Sequence, residues 1–314
     1  MTPEDTFKKW AYASLVQCPD RWEENMPQAI YHAYPGINAS SMKSKTTQEM
    51  RHYATYPRPV TYAKTLGDVL HKAILEPDIF ETPTGVEEWF QYSPTSGLNT
   101  KAALAALAAF PDKPLVTPEI VEKARRLRDA IFLHGEASRI LACKAKKELS
   151  GFAWDEDSQV MRKIRIDFLP SEDHPEFGEP FFADVKMTRS IDEIPFWAQI
   201  LELKYHLSAA YYVDVESQIN GTPRRNIFTY IAVTGPTGEG QAVNAEPYMA
   251  RTFDIGGMES KLSLIDHPKT GGRILYRNAL NKFANAIQTW TWEAYEHEEA
   301  FQLTAIRPFS TFKQ

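Results

Sequence analysis

Cysteine is scarce in this chain: Cys18 and Cys143 are the only two in 314 residues. That excludes a disulfide framework and a cysteine-built zinc cluster. No stretch approaches the ~18 consecutive apolar residues of a membrane span, so no membrane partner is expected. The opening M-T-P-E-D-T-F-K-K-W has no secretory apolar core, and an intracellular, cytoplasmic protein is expected. Asn38 and Asn220 then match the glycosylation pattern by chance. Internal repeats and low-complexity linkers are also missing, so no domain boundary stands out. Basic excess is lacking as well. The formal net charge of −6 argues against a protein that coats nucleic acid through bulk charge.

Positive charge is instead local. Lys123, Arg125, Arg126, Arg128, Arg139, Lys144, Lys146 and Lys147 face four acidic residues between Glu119 and Lys147. Arg162, Lys163, Arg165, Lys186 and Arg189 follow. A phosphate-facing side is one reading, and ordinary solvated helix faces have the same composition.

Residues 160–169 and 181–187 read as strands, bounded by Pro or Gly and by the turn-prone segment 155–158. Paired as a hairpin, they bring Asp167 and Asp184 together. Asp184 and Lys186 share a strand face, while Ala183 and Val185 point to a core. Two converging carboxylates can hold a hard divalent cation, and a lysine beside them can stabilise charge or orient a water. Glu148, placed at the end of a helix over 136–147, offers a third carboxylate. The same residues also fit a solvated hairpin with ordinary charges.

Helical spacing runs through 4–18, 61–75, 117–133, 196–213 and 273–300, with an alanine-rich helix at 100–109 and a further start at 258–266. Asn38 suits the cap of a short helix, and Gly271-Gly272 reads as a mobile turn. Gly67 and His71 share a face of the second helix. A mid-helix glycine suggests a closely approaching backbone. His71 is then a packed, hydrogen-bonded residue, a metal ligand or a phosphate contact. Residues 226–234 form the clearest buried strand, and 242–254 a more exposed one. The predicted centre is therefore helix, strand, strand, helix, strand, strand: an α/β core with a small central mixed sheet flanked by helices.

The ordered motifs Y-H-A-Y-P-G-I-N-A-S-S-M-K, G-D-V-L-H-K-A-I-L-E-P-D-I-F, E-L-S-G-F-A-W, R-I-D, D-V-K and Y-H-L-S-A-A-Y-Y-V-D span about Tyr31 to Tyr295. In that order the chain resembles the PD-(D/E)-x-K (restriction-endonuclease-like) superfamily, and within it the phage exonuclease VIII (RecE) C-terminal nuclease family. The resemblance implies one nuclease domain over 1–314: an N-terminal arm with short helices (1–60), a helix-rich lead-in and catalytic core (61–250), and a C-terminal helical extension (251–314). It implies Mg²⁺-dependent, 5′-to-3′ digestion of linear double-stranded DNA in phage-type recombination, with Mn²⁺ able to substitute. A bacterial or phage-infected host, a ring-shaped homo-oligomer and a single-strand annealing protein as partner are implied with it. Asp167, Asp184, the Val185 carbonyl, His71 and Glu148 would serve the metal, and Lys186 the attacking water. Arg165, Thr188, Arg189, Ser208 and Tyr212 would meet DNA. Ser208 replaces the glutamine of the family's Q-x-x-x-Y arrangement, and a serine reaches less far. Ile166 replaces the proline before the first aspartate. Alternatives within the same fold are an endonuclease, a single-strand nuclease, and a non-catalytic DNA-binding or assembly protein.

Overall fold

The computed structural model describes residues 2–56, 61–110, 113–223, 225, 227–235, 248–255, 264–266 and 269–293. Capping side chains start most of the early helices. Helix α1 (Pro3–Ala13) opens on a reciprocal Thr2–Asp5 box. After β1 (Arg21–Glu23) and α2 (Gln28–Ala33), Asn38 caps α3 (Ala39–Met42) and Thr46 caps α4 (Thr47–Thr55). Thr61 caps α5 (Tyr62–Leu75), which runs into the short α6 (Pro77–Phe80) and α7 (Gly85–Trp89). A two-strand parallel pair, β2 (Gln91–Tyr92) and β3 (Leu115–Val116), brackets α8 (Lys101–Ala109), whose cap is Thr100. Thr117 and Pro118 start α9 (Pro118–Leu133). His134 ends α9, and its ring accepts from the Ala137 N–H to begin α10 (Gly135–Ala142).

The main sheet follows: β4 (Ala145–Asp155), β5 (Val160–Pro170) and β6 (Phe181–Met187), then α11 (Glu193–Glu202) and α12 (Tyr205–Asn220), then β7 (Ile227–Thr234) and β8 (Met249–Ile255). Helix α13 (Gly272–Thr289) is the last described element. The six strands lie in the order β1–β4–β5–β6–β7–β8. Only β6 and β7 are parallel, joined over one face by α11 and α12; the other neighbours are antiparallel. The result is a mixed α/β fold with helices on both faces. Leu66, Val69, Leu70 and Ile74 of α5 pack with α9 residues on Phe181, Ala183, Val185 and Ile231. Phe182, Phe228 and Tyr230 face α12 and α13 on the other side.

Several elements differ from the sequence expectation. Residues 145–155 form β4, not the end of a helix: Leu149 to Asp155 are buried, paired with β5 throughout, and β1 covers the other edge at Arg21–Glu23. A strand covered on both faces loses the alternation by which strands are read. Glu148 therefore sits in a strand, in a left-handed conformation (φ +51°). The helix expected over 196–213 is two, broken where Lys204 turns left-handed (φ +51°). The Gly271-Gly272 pair is the fixed start of α13. A Cβ on Gly272 would lie 1.9 Å from the His206 carbonyl oxygen. Gly67, by contrast, has only the Met187 Cε at 3.6 Å from a Cβ position, so no backbone crowds it. Residues 264–266 form a turn. The rest of the helix expected there, residues 242–247 and the end of the one expected over 273–300 lie outside the described residues. Among the described residues no helix is long and apolar enough to cross a membrane.

Candidate metal centre

The β4–β5 hairpin is closed by Asp155, whose Oδ2 accepts from the Ser158 N–H at 3.0 Å and from its hydroxyl at 2.5 Å. That turn fixes the β5 register. At the far end of β5, Phe168 pairs with Ala183 of β6. The antiparallel register then sets Asp167 opposite Asp184 where the two strands part. Helix α5 crosses here and brings His71 down onto both. His71 Nδ1 lies 3.1 Å from Asp167 Oδ2, and Nε2 lies 3.2 Å from the Val185 carbonyl oxygen. His71, Asp167 and Asp184 offer ligand atoms all within 4.8 Å of one another. Lys186 Nζ donates to Asp184 at 2.7 Å. A cavity of about 10 Å³ adjoins them, with Leu75, Phe168 and Ile231 in its wall; that is room for about one water-sized species.

Electrostatics bind these groups together. Burial opposes charge on His71, but Asp167 outweighs it through its charge and its hydrogen bond, and the imidazole is lifted to about 9. Burial likewise opposes the Asp167 carboxylate, but His71, Lys186 and Arg165 together hold it down at about 2. Lys186 is desolvated, yet Asp184 and Asp167 push its ammonium upward. The Tyr212 hydroxyl is pushed up, first by burial and then by the charges of Asp167 and Asp184. Tyr205 closes another side, its ring centroid 5.6 Å from Lys186 Nζ. Two carboxylates, a carbonyl and an imidazole form a donor set suited to a hard divalent cation. The His71 and Asp184 side chains keep 24% and 15% exposure, enough for an ion to enter.

The other expected residues divide. Glu148 lies outside the ligand group. Its Oε2 is held by Arg165 Nη2 at 2.5 Å and its Oε1 lies 3.3 Å from Lys72 Nζ. Its left-handed backbone, opposite Asp167 in the β4–β5 register, aims it at those cations rather than at the ligand group. Arg165 spends further donors on the Met26 carbonyl and the Ser150 hydroxyl, so it braces the sheet instead of facing solvent. Thr188 is buried and donates to Ser190 O and Gln199 Oε1. Arg189 is exposed just beyond β6. Ser208 and Tyr212, half-buried, stand one turn apart on α12. The phosphate-facing basic side is reduced: Lys163 is buried and Arg162 is 1% exposed. Arg125, Arg126, Arg128 and Lys146 pair with Glu81, Glu122, Asp129 and Glu24.

Two site neighbours escaped the sequence reading. Asp68, one turn before His71, is half-buried, and burial raises its carboxyl, with His71, Asp167 and Glu148 close enough to act on it. Lys72 bridges Glu148 and Glu76. The D-x-x-H-K spacing on one helix face was the available signal. A second group, Glu136, His174 and Asp254, also has clustered ligand atoms. There His174 Nδ1 accepts from the Glu176 N–H, which puts the ring proton on Nε2, the nitrogen nearer Asp254. That tautomer suits a donor and not a metal ligand.

No protein-family model matches the chain, and no curated protein matches it.

Proposed function

We propose that the chain is a metal-dependent deoxyribonuclease with a PD-(D/E)-x-K core. It hydrolyses phosphodiester bonds of linear double-stranded DNA from its ends, 5′ to 3′, with Mg²⁺ as cofactor and Mn²⁺ able to substitute. One observation carries the reading: His71, Asp167 and Asp184 converge within 4.8 Å, with the Val185 carbonyl and Lys186 beside them. A generic charged hairpin has no reason to gather an imidazole, two carboxylates and a carbonyl at a strand parting.

In this reading Asp167, Asp184 and the Val185 carbonyl would hold the ion, and His71 would join them on giving up a ring proton. When bound, the ion neutralises charge on the scissile phosphate and its leaving oxygen. Lys186, anchored on Asp184, turns its remaining N–H donors toward a phosphate oxygen or the attacking water and so fixes the line of attack. Tyr205 and Tyr212 wall the site and limit water. Glu148 holds Arg165 and Lys72 as a charge-balanced border. Arg189 takes a backbone phosphate outside the cleft, and Ser208 faces the strand at shorter reach than a glutamine would. A homo-oligomeric ring threaded by DNA and a single-strand annealing partner belong to the same proposal and rest on the resemblance alone.

Linear duplex and covalently closed circular duplex, each with Mg²⁺ and with EDTA, test it. The linear form should disappear only with Mg²⁺, and the circle should survive. Cutting of both at one rate would make it an endonuclease of the same fold. DNA binding without cleavage in Mg²⁺, or in Mn²⁺ put in its place, would leave a non-catalytic binding protein.

A further inference from the structure

The junction of α11 and α12 holds a residue in a conformation that its type disfavours. Lys204 follows the last turn of α11, where its N–H donates to the Leu201 carbonyl at 3.2 Å. Its backbone is left-handed, with φ +51° and ψ +43°. A helix that ends this way usually does so on glycine, because a Cβ crowds the neighbouring carbonyl in the left-handed region. The turn itself therefore has no need of a lysine, and the reason for one lies in its side chain.

That side chain sets an ammonium beside the candidate metal centre. Lys204 Nζ donates to the Lys43 carbonyl, at the end of α3, at 3.0 Å. Among the described residues it pairs with no carboxylate, the exposed Glu202 two residues earlier included. An ammonium has three donors, so two stay available. The next residue, Tyr205, has its ring centroid 5.6 Å from Lys186 Nζ and 5.0 Å from Lys43 Nζ. Tyr205 thus links the junction to the lysine anchored on Asp184. The junction is open to water: Lys204 and Tyr205 are half-buried, and Leu201 and Leu203 are exposed.

We propose that Lys204 contacts a backbone phosphate of the DNA strand held at the metal centre, a few nucleotides from the scissile bond. The inference rests on the reading of that centre as a DNA site, which sets where the strand lies. A backbone phosphate asks for charge and not for a planar fork, and an ammonium on a flexible stem supplies it. The competing role is a staple, in which the bond to the Lys43 carbonyl pins α3 to the junction. The two roles part when lysine gives way to glycine. Glycine suits the left-handed turn better than lysine does, so a DNA contact is lost with no loss of stability, whereas a lost staple loosens the fold.

The test is fluorescence-anisotropy titration of a short labelled linear duplex with the full chain in EDTA, repeated across salt from about 50 to about 200 mM. Native protein is compared with Lys204→Gly, Lys204→Asn and Lys204→Arg, and the thermal unfolding of each is recorded. Glycine and asparagine both suit the left-handed turn without a charge, and arginine keeps the charge. The two uncharged variants should bind about fivefold more weakly at low salt and flatten the slope of log affinity against log salt by about 0.9, the share of one phosphate contact. Lys204→Arg should restore both, and Lys204→Gly should melt no lower than the native protein. Slopes that are the same in all four proteins would overturn the proposal. So would a Lys204→Gly protein that melts lower with its slope unchanged, which is the staple, or native protein that binds no duplex. Digestion of the same duplex with Mg²⁺ separates this result from the nuclease reading. Digestion alongside unchanged slopes sinks the Lys204 contact alone, and the expected slopes without digestion sink the nuclease reading alone.

Discussion

His71 and Asp167 share a short, half-buried gap in which each sets the other's charge. With the imidazole raised to about 9 and the carboxylate lowered to about 2, both are ionised across the neutral range when no metal is present. The signs follow from linkage. His71 contributes stability that is complete below its ordinary 6.5 and fades as pH rises through about 9. Asp167 contributes stability that is complete above its ordinary 3.8 and is lost as pH falls through about 2. Thermal unfolding in EDTA of the native protein and of His71→Gln should therefore differ most near about pH 5, and the gap should close in alkali above about pH 9. A gap independent of pH would mean that His71 acts by packing alone. Side chains whose partners are near in sequence or across one register, such as Asp184 with Lys186 and Asp167 with Asp184, were legible in the sequence. Those whose partners come from distant elements were not. Lys163 reads as a surface cation, yet its Nζ donates to the Tyr31, His32 and Tyr34 carbonyls at the end of α2, at 3.0, 3.0 and 2.6 Å. Burial pushes it down to about 7. The C-terminal carbonyls of α2, where the helix dipole favours a cation, pull the other way.

At the scale of elements, caps were the best guide. Thr61, Thr117 and Asn38 each accept the N–H expected of a cap, because capping depends on residues within one turn. β4 was missed because its register depends on β5 and β1, and its burial on both faces erases the period of two. The α11–α12 break was missed because the apolar stripe continues across Lys204 while the chain turns left-handed. The two glycines separate the local and tertiary explanations. Gly67→Ala removes a helix-interior glycine with only a methionine methyl at 3.6 Å, so it should stabilise by up to about 1 kcal/mol. Gly272→Ala drives a methyl against the His206 carbonyl and should destabilise by about 3 kcal/mol, by prising α13 from α12. Chemical denaturation of both variants decides; the opposite order would contradict the packing described for α5 and α13.

For the molecule as a whole, the sheet is a two-ended platform. β5 carries Arg162 near one end and Asp167 of the candidate metal centre near the other, and helices close both faces between them. The basic residues that promised a phosphate-facing side in the sequence are mostly absorbed: Lys123 pairs with Glu119 at 2.9 Å, and Arg128 reaches Glu81 and Asp129. Arg189, just beyond β6, is exposed.

The most direct measurement of the central claim is digestion of a linear duplex labelled separately at its 5′ and 3′ ends. It is run with Mg²⁺, with EDTA, and with the Asp184→Asn and Lys186→Ala proteins. The account predicts early release of the 5′ label with Mg²⁺ alone, and loss of that release in EDTA and in both variants. Release in EDTA, or release that Asp184→Asn leaves at the native rate, would contradict it, because hydrolysis would then not depend on the carboxylates that His71 and Lys186 are built around.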